Sequence, residues 1–184
     1  EFDNKEEFEL NWVEASAHPI GAVGLWNSMI KIIKMAKEKG DDIIVICEDD
    51  HYFTENYSPK LLFKEVTEAY IQGAEVLSGG IGGFGQAIPA GYHRYKVDWF
   101  WCTQFIVIYN RFFDKMLDYS FQNTDTADGV ISKLATNIMV IYPFISEQKD
   151  FGYSDVTQSN MEQQGKIREH FARANKHMKS ISLK

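Results

Sequence analysis

At 184 residues the chain is long enough for one domain with its own core, and 45% apolar with 24% charged residues is ordinary for a soluble globular protein. A formal net charge of -7 argues against nucleic acid as a general partner. The two cysteines, Cys47 and Cys102, each sit among apolar or aromatic residues and read as buried thiols, not a disulfide framework. No stretch approaches the ~20 apolar residues of a membrane span, and no signal-peptide pattern opens the chain, which begins with Glu1 and reads as a fragment or a trimmed piece.

Residues 1–9 are mostly charged and read as a lead-in. Phe8 to Ala15, with Leu10, Trp12 and Val13, reads as a short strand, and His18-Pro19-Ile20-Gly21 as a turn. Leu25 to Lys39 is predicted helical, because Leu25, Met29, Ile32, Ile33 and Ala36 share one face while Lys31, Lys34, Lys37 and Lys39 cover the other. The late lysines suit the helix dipole, and Gly40 supplies the stop.

The run Ile43-Ile44-Val45-Ile46-Cys47 reads as a strand buried on both faces, and Glu48-Asp49-Asp50-His51 follow without a break. In open α/β sheets ligands bind beyond the carboxyl ends of the strands, so these acids stand where chemistry is expected. Glu48 and Asp50, spaced i, i+2, can converge on one hard cation, which prefers oxygen ligands. The plainer reading is a solvated acidic turn closing a strand. His51 reads as a loop residue sooner than a ligand.

Ser58-Pro59 has the form of an N-cap followed by proline at the first helical position, with Leu62, Val66, Ala69 and Tyr70 as the buried stripe and Gly73 as the end. Glu75 to Ser78 is the next strand. Helix, strand, helix, strand in that order predicts a parallel sheet with covering helices.

The glycine-rich run Gly79–Gly85 lacks the Gly-Lys-Ser/Thr of a P-loop and reads as a mobile loop or a close backbone approach, with a phosphate cradle as the weaker alternative. Residues 86–98 read as a long irregular connection bordering the site. Trp99-Phe100-Trp101 leads into a buried strand, Phe105–Tyr109, and Arg111 to Tyr119 should be helical. Asn123–Asp128 opens a helix to about Ala135 that faces in with Val130, Ile131 and Leu134. Ile138 to Tyr142 is a strand stopped by Pro143. Two units result: an α/β domain over residues 1–158 and a basic helical tail over 159–184. The tail carries a net +4 from Met161 on, with Ile167, Phe171, Ala174, Met178 and Ile181 as its stripe. Such a helix packs on the domain or a partner; the alternative is peripheral contact with anionic lipid or acidic glycan.

Gly21-Ala22-Val23-Gly24-Leu25-Trp26-Asn27-Ser28, the amphipathic helix, and the strand ending Glu48-Asp49-Asp50 together resemble the family 25 glycosyltransferases, which include lipooligosaccharide and collagen galactosyltransferases. Their pattern is a Gly-x-x-Gly-x-x-x-Ser-His helix and a hydrophobic strand ending in Glu-Asp-Asp. Cys102–Ile108 with Phe113 to Leu117 is similar to the family's Thr-x-Ala-Tyr segment and helix. Ala127-Asp128 resembles its Val-Asp helix start. Tyr142-Pro143, Gln148 and Ser154-Asp155 resemble its closing motifs. The likeness spans roughly residues 12 to 156. Met29 stands where the family has His, and the family's opening strand and basic segment are not found before Phe8.

The resemblance implies a single Rossmann-like α/β domain of the type-A glycosyltransferase fold, with a mostly parallel sheet lacking its first strand. It implies transfer of a hexose, galactose above all, from a UDP-sugar to a glycan or lipid-linked saccharide in cell-surface polysaccharide or lipopolysaccharide synthesis. Glu48 and Asp50 would anchor Mn²⁺ or Mg²⁺ against the diphosphate. Ser28, Asp49 and Gln148 would contact the donor, and Tyr153 would line the cleft. Asp128, or Asp155 as second choice, would take the acceptor proton. Asp128 also has a capping reading, since Asp125 and Asp128 lie at capping spacing. Trp99 and Trp101 would stack on a sugar ring or pack in the core. The expected location is cytoplasmic, at the inner face of a membrane. The competing readings are a non-catalytic relative that binds a nucleotide sugar or glycan, a scaffold subunit, and a metal-dependent phosphohydrolase.

Overall fold

In a computed structural model the described residues are 1–150 and 166–182. The first helix, α1 (Gly21–Lys39), buries Trp26, Met29, Ile33 and Ala36 and ends at Gly40, whose φ of 78° lets its N–H reach back to the carbonyls of Ala36 and Lys37. β1 (Ile43–Cys47) follows, then the short β2 (His51–Phe53) and α2 (Pro59–Ile71), which Ser58 caps by accepting the Leu61 N–H at 3.2 Å. Next come β3 (Val76–Ser78), β4 (Ala87–Pro89), β5 (Arg94–Val97) and β6 (Phe105–Tyr109). The chain continues through α3 (Asn110–Leu117), α4 (Ala127–Leu134), β7 (Ile138–Ile141), β8 (Ser146–Gln148) and α5 (Lys166–Ser182).

Six strands form one sheet in the order β1-β6-β3-β7-β5-β4, and β2 pairs with β8 in a separate two-stranded ribbon. The class is α/β, but the sheet is mostly antiparallel, which corrects the expected parallel arrangement. Within the six-stranded sheet β3–β7 is the one parallel pair among the described residues. The reason is β6. Each of its five residues is apolar or aromatic and buried, and it slots between β1 and β3, antiparallel to both. The helix between β1 and β3 does make them co-directional, as the sequence order implies, but they are not neighbours. A second correction concerns Phe8 to Ala15, which forms no strand; Leu10 and Trp12 in it are exposed. β1 therefore lies at the edge of the sheet among the described residues.

Alternation along β6 splits the core in two. Ile106 and Ile108 face α1, α3, α4 and α5, while Phe105, Val107 and Tyr109 face α2 and the N-terminal Phe2 and Phe8. α5 lies on the domain with Phe171, Ala174 and Met178 buried and Ile167 and Ile181 half-buried against the same core, and Tyr142 donates to the Asn175 carbonyl at 3.3 Å. No helix among the described residues is long and apolar enough to cross a membrane.

The glycine-rich run is packed, not open: Gly79 to Gly82 are all buried. A Cβ on Gly80 would overlap the Ser146 carbonyl oxygen, and one on Gly83 would lie 2.7 Å from the Trp101 ring. The close-approach reading holds for these glycines. Gly80→Ala is expected to destabilise the fold by about 2 kcal/mol, because rigid backbone must move to admit the methyl. Urea denaturation would read this as a lower midpoint at unchanged slope.

Candidate active site

The acids stand where β1 ends and line a cleft of about 1750 Å³. One backbone turn fixes them. The Glu48 N–H donates to the Gln104 carbonyl at 3.0 Å, and the His51 N–H donates to the Glu48 carbonyl at 3.2 Å. Glu48 thus continues the β1–β6 ladder for one more residue, and Asp49 and Asp50 occupy the bend between β1 and β2.

Glu48 is half-buried and accepts the Thr103 hydroxyl proton at 2.5 Å. Burial pushes its carboxyl up to about 7; the Thr103 hydrogen bond opposes this, and the charges of Asp50, Asp128 and Asp49 reinforce it. Asp50 is also held above the usual carboxylate range by burial, against a hydrogen bond from the Gln148 amide to its Oδ2. Its other oxygen, Oδ1, is buried and has no hydrogen-bond partner among the described residues. A buried carboxylate oxygen without a donor is costly. An oxygen of this kind is able to ligate a hard cation.

Asp128, in the first turn of α4, holds two backbone amides. Its Oδ2 accepts the Cys102 N–H at 3.2 Å and its Oδ1 accepts the Gly129 N–H at 2.8 Å. Cys102 has a φ of 78°, a left-handed conformation that a residue with a side chain adopts at a cost. Asp128 therefore clamps the backbone at the position just before Thr103, the residue that steers Glu48. Thr126 is the helix cap, accepting the Gly129 N–H at 3.3 Å.

Ser28, Glu48, Asp49, Asp50, Trp101, Asp128 and Gln148 all line this one cleft. Ser28 is tied into the fold, donating to the Gly24 carbonyl at 2.9 Å and accepting the Ser16 N–H at 2.8 Å. Trp101 is 47% exposed, with Trp99 beside it at 5.2 Å between ring centroids; Trp99 is not among the cleft-lining residues. Asp155 and Tyr153 lie outside the described residues.

His51, expected in a loop, is a strand residue and almost wholly buried. Its Nδ1 meets the Ser146 hydroxyl at 2.8 Å, and its ring lies among Phe2, Phe53 and Phe105. Burial pushes its pKa down to about 4, so it is neutral near pH 7. The sequence gives Cys102, Thr103 and Gln104 no site role beyond the likeness of Cys102–Ile108 to a family segment. Their signal, a polar Cys-Thr-Gln step before an apolar strand opposite three acids, is visible only once β1 and β6 are known to pair.

No three His, Cys, Asp or Glu side chains gather at metal-binding distance among the described residues. A two-carboxylate site completed by water and phosphate oxygens is the usual arrangement for Mg²⁺, and Glu48 with Asp50 fits that pattern through the unpartnered Oδ1.

The raised Glu48 carboxyl has a stability consequence. Its folded pKa, about 7, exceeds the unfolded value of 4.5, so the native state binds more protons between those limits. Its contribution is fully present below pH 4.5 and is lost as pH rises through 7. Glu48→Gln should therefore stabilise the metal-free protein by about 2 kcal/mol at pH 8, allowing for solvent at one side of the carboxyl, and do little at pH 4.5. Thermal denaturation at the two pH values checks this.

No protein-family profile matches the chain, and no curated protein matches it. Among solved structures it is similar to one described as apo UDP-glucose pyrophosphorylase, with 10% sequence identity and a TM-score of 0.47 over 84% of this chain and 61% of that one. The chain thus spans 61% of that structure's length.

Proposed function

We propose that the chain is a divalent-cation-dependent glycosyltransferase acting on a nucleoside diphosphate sugar, with UDP-galactose as the first donor to test. The observation that carries this reading is Asp50 Oδ1, buried and without a hydrogen-bond partner among the described residues, two positions from Glu48 just past the end of β1. The resemblance to family 25 glycosyltransferases supports it, and of the residues that carry that resemblance Ser28, Glu48, Asp49, Asp50, Asp128 and Gln148 line one cleft.

Glu48 and Asp50 would hold Mn²⁺ or Mg²⁺, which when bound stabilises charge on a diphosphate. Gln148 orients Asp50, and Thr103 orients Glu48. In the transfer the bond between the sugar C1 and the phosphate oxygen breaks, its electron pair leaving with the diphosphate. A bond forms from the acceptor hydroxyl oxygen to C1, and the hydroxyl proton passes to a base. Asp128 is the candidate base: each of its oxygens accepts one backbone amide and retains a further lone pair. Trp101 offers its exposed face to a pyranose of the acceptor, which would be a glycan or lipid-linked saccharide of the cell surface.

A second reading is a binding module for a nucleotide sugar without turnover. Met29 favours it, since it fills the core at 0% exposure where the family carries His. Calorimetry with UDP, with and without Mn²⁺, tests the shared part. Binding should require the metal, and transfer from UDP-galactose then separates enzyme from module. Nucleotide binding indifferent to Mn²⁺ would remove the metal-dependent reading.

A further inference from the structure

The cleft carries side chains of both signs. Glu48, Asp49, Asp50 and Asp128 line it, and so do Lys149, Lys166 and His170. Among the described residues no ion pair joins these bases to those four acids; Lys149 pairs with Glu1 at 3.0 Å. A ligand that satisfies both sets must bring positive charge to the acids and negative charge to the bases.

Two of these bases stand on a fixed element. Lys166 and His170 are one turn apart on α5 and share a face. α5 is anchored by Phe171, Ala174 and Met178, so this face is held against the cleft. Arg173, one turn on, donates to His170 Nδ1 at 3.2 Å. That leaves the ring proton on Nε2, a donor. Trp101 meets the His170 ring edge-on at 5.4 Å, and a Cβ on Gly82 would lie 3.5 Å from the His170 Cβ and 2.8 Å from the Cys102 sulfur, so His170 stands by the loop whose Cys102 amide Asp128 holds. Lys149 follows Gln148, the residue that holds Asp50, and its own N–H donates to the Asp50 carbonyl at 2.7 Å.

We propose that Lys166 and His170 form an anion wall that takes the phosphate oxygens of a diphosphate while Glu48 and Asp50, in the same cleft, hold its cation. This rests on the cation reading of Glu48 and Asp50, and it adds which residues receive the leaving group. As the sugar departs, negative charge gathers on the diphosphate. Fixed donors aimed at that charge act without reorganising.

The test is calorimetry of the whole chain with inorganic pyrophosphate and, separately, UDP, each with and without Mn²⁺. The variants are Lys166→Ala, His170→Ala and His170→Gln, with circular dichroism to confirm folding. Each alanine variant should weaken pyrophosphate binding by about tenfold or more, the worth of a charge-assisted hydrogen bond, while affinity for Mn²⁺ alone is unchanged. Glutamine, which keeps a donor near the Nε2 position, should recover part of the loss. Equal losses for UDP and pyrophosphate place the wall at the diphosphate; a loss for pyrophosphate alone marks free pyrophosphate as its ligand. Pyrophosphate binding that depends on Lys166 and His170 but not on Mn²⁺ supports the wall and removes the cation reading. Binding that needs Mn²⁺ but ignores both alanine variants overturns the wall and leaves the cation reading standing. Absence of pyrophosphate binding under every condition overturns it as well.

Discussion

Asp50→Ala should abolish Mn²⁺-dependent nucleotide binding and lower any sugar transfer by about a thousandfold, while the metal-free protein remains folded. The size follows from what a bound cation supplies: several kcal/mol of charge stabilisation on the leaving diphosphate, each 1.36 kcal/mol being tenfold in rate. A site with two carboxylates has no spare ligand, so removing one removes the ion. Gln148→Ala should act on the same ion one step removed, because the amide holds Asp50 Oδ2, and outer-shell partners are typically worth about 10- to 100-fold in metal affinity. The series has an internal control in stability. Among the described residues Asp50 Oδ1 is buried without a donor, so alanine removes an unsatisfied group, and the metal-free variant should melt no lower than the parent. Loss of function with unchanged or higher melting temperature is the expected pair of results. Full Mn²⁺ affinity in Asp50→Ala would move the cation site elsewhere.

What could be read from the chain depended on whether the signal was local. The Ser58-Pro59 cap, the Gly40 stop and the apolar run of β6 are written in neighbouring residues, and all three formed as read. Strand order is not local. That β6 would insert between β1 and β3, turning the sheet mostly antiparallel, depends on pairings between residues about 60 and about 30 apart in sequence, which no periodicity records. The hairpin of β4 and β5 was hidden for another reason. Its buried positions include Arg94, whose charge reads as a surface residue until its carboxylate partners are known. At the candidate site the three acids were legible because they follow a strand. The parts that aim them were not. Cys102 adopts a left-handed φ that only its setting requires, and Thr103 reaches Glu48 across a strand pairing. His170 lies more than 100 residues from Glu48, Asp49 and Asp50, with which it lines one cleft.

That same Arg94 makes the largest stability prediction in the molecule: Arg94→Ala should cost about 3–5 kcal/mol, far from the cleft and with no effect on ligand binding. Arg94 and Glu65 are both 0% exposed, and the guanidinium donates to Glu65 from inside the fold. Glu68 adds a half-exposed second carboxylate at 3.4 Å, and the Ala90 carbonyl accepts at 3.4 Å. Truncating the arginine strands Glu65 in the interior, where a lone carboxylate has neither water nor counterion. Yet the pair is incompletely satisfied, since Glu65 Oε1 and Arg94 Nε have no partners among the described residues. Attraction between the two charges is therefore offset by desolvation, and an apolar pair of similar volume should hold the same position. Arg94→Met with Glu65→Leu is expected to lie within about 1 kcal/mol of the parent, although Arg94→Met alone loses most of its stability. Urea denaturation of the single and double variants reads both numbers. If Arg94→Met alone costs less than about 1 kcal/mol, water reaches this pair in solution and the buried-pair account fails. If the double variant is as unstable as the single one, the ion pair itself stabilises the packing of β5 against α2.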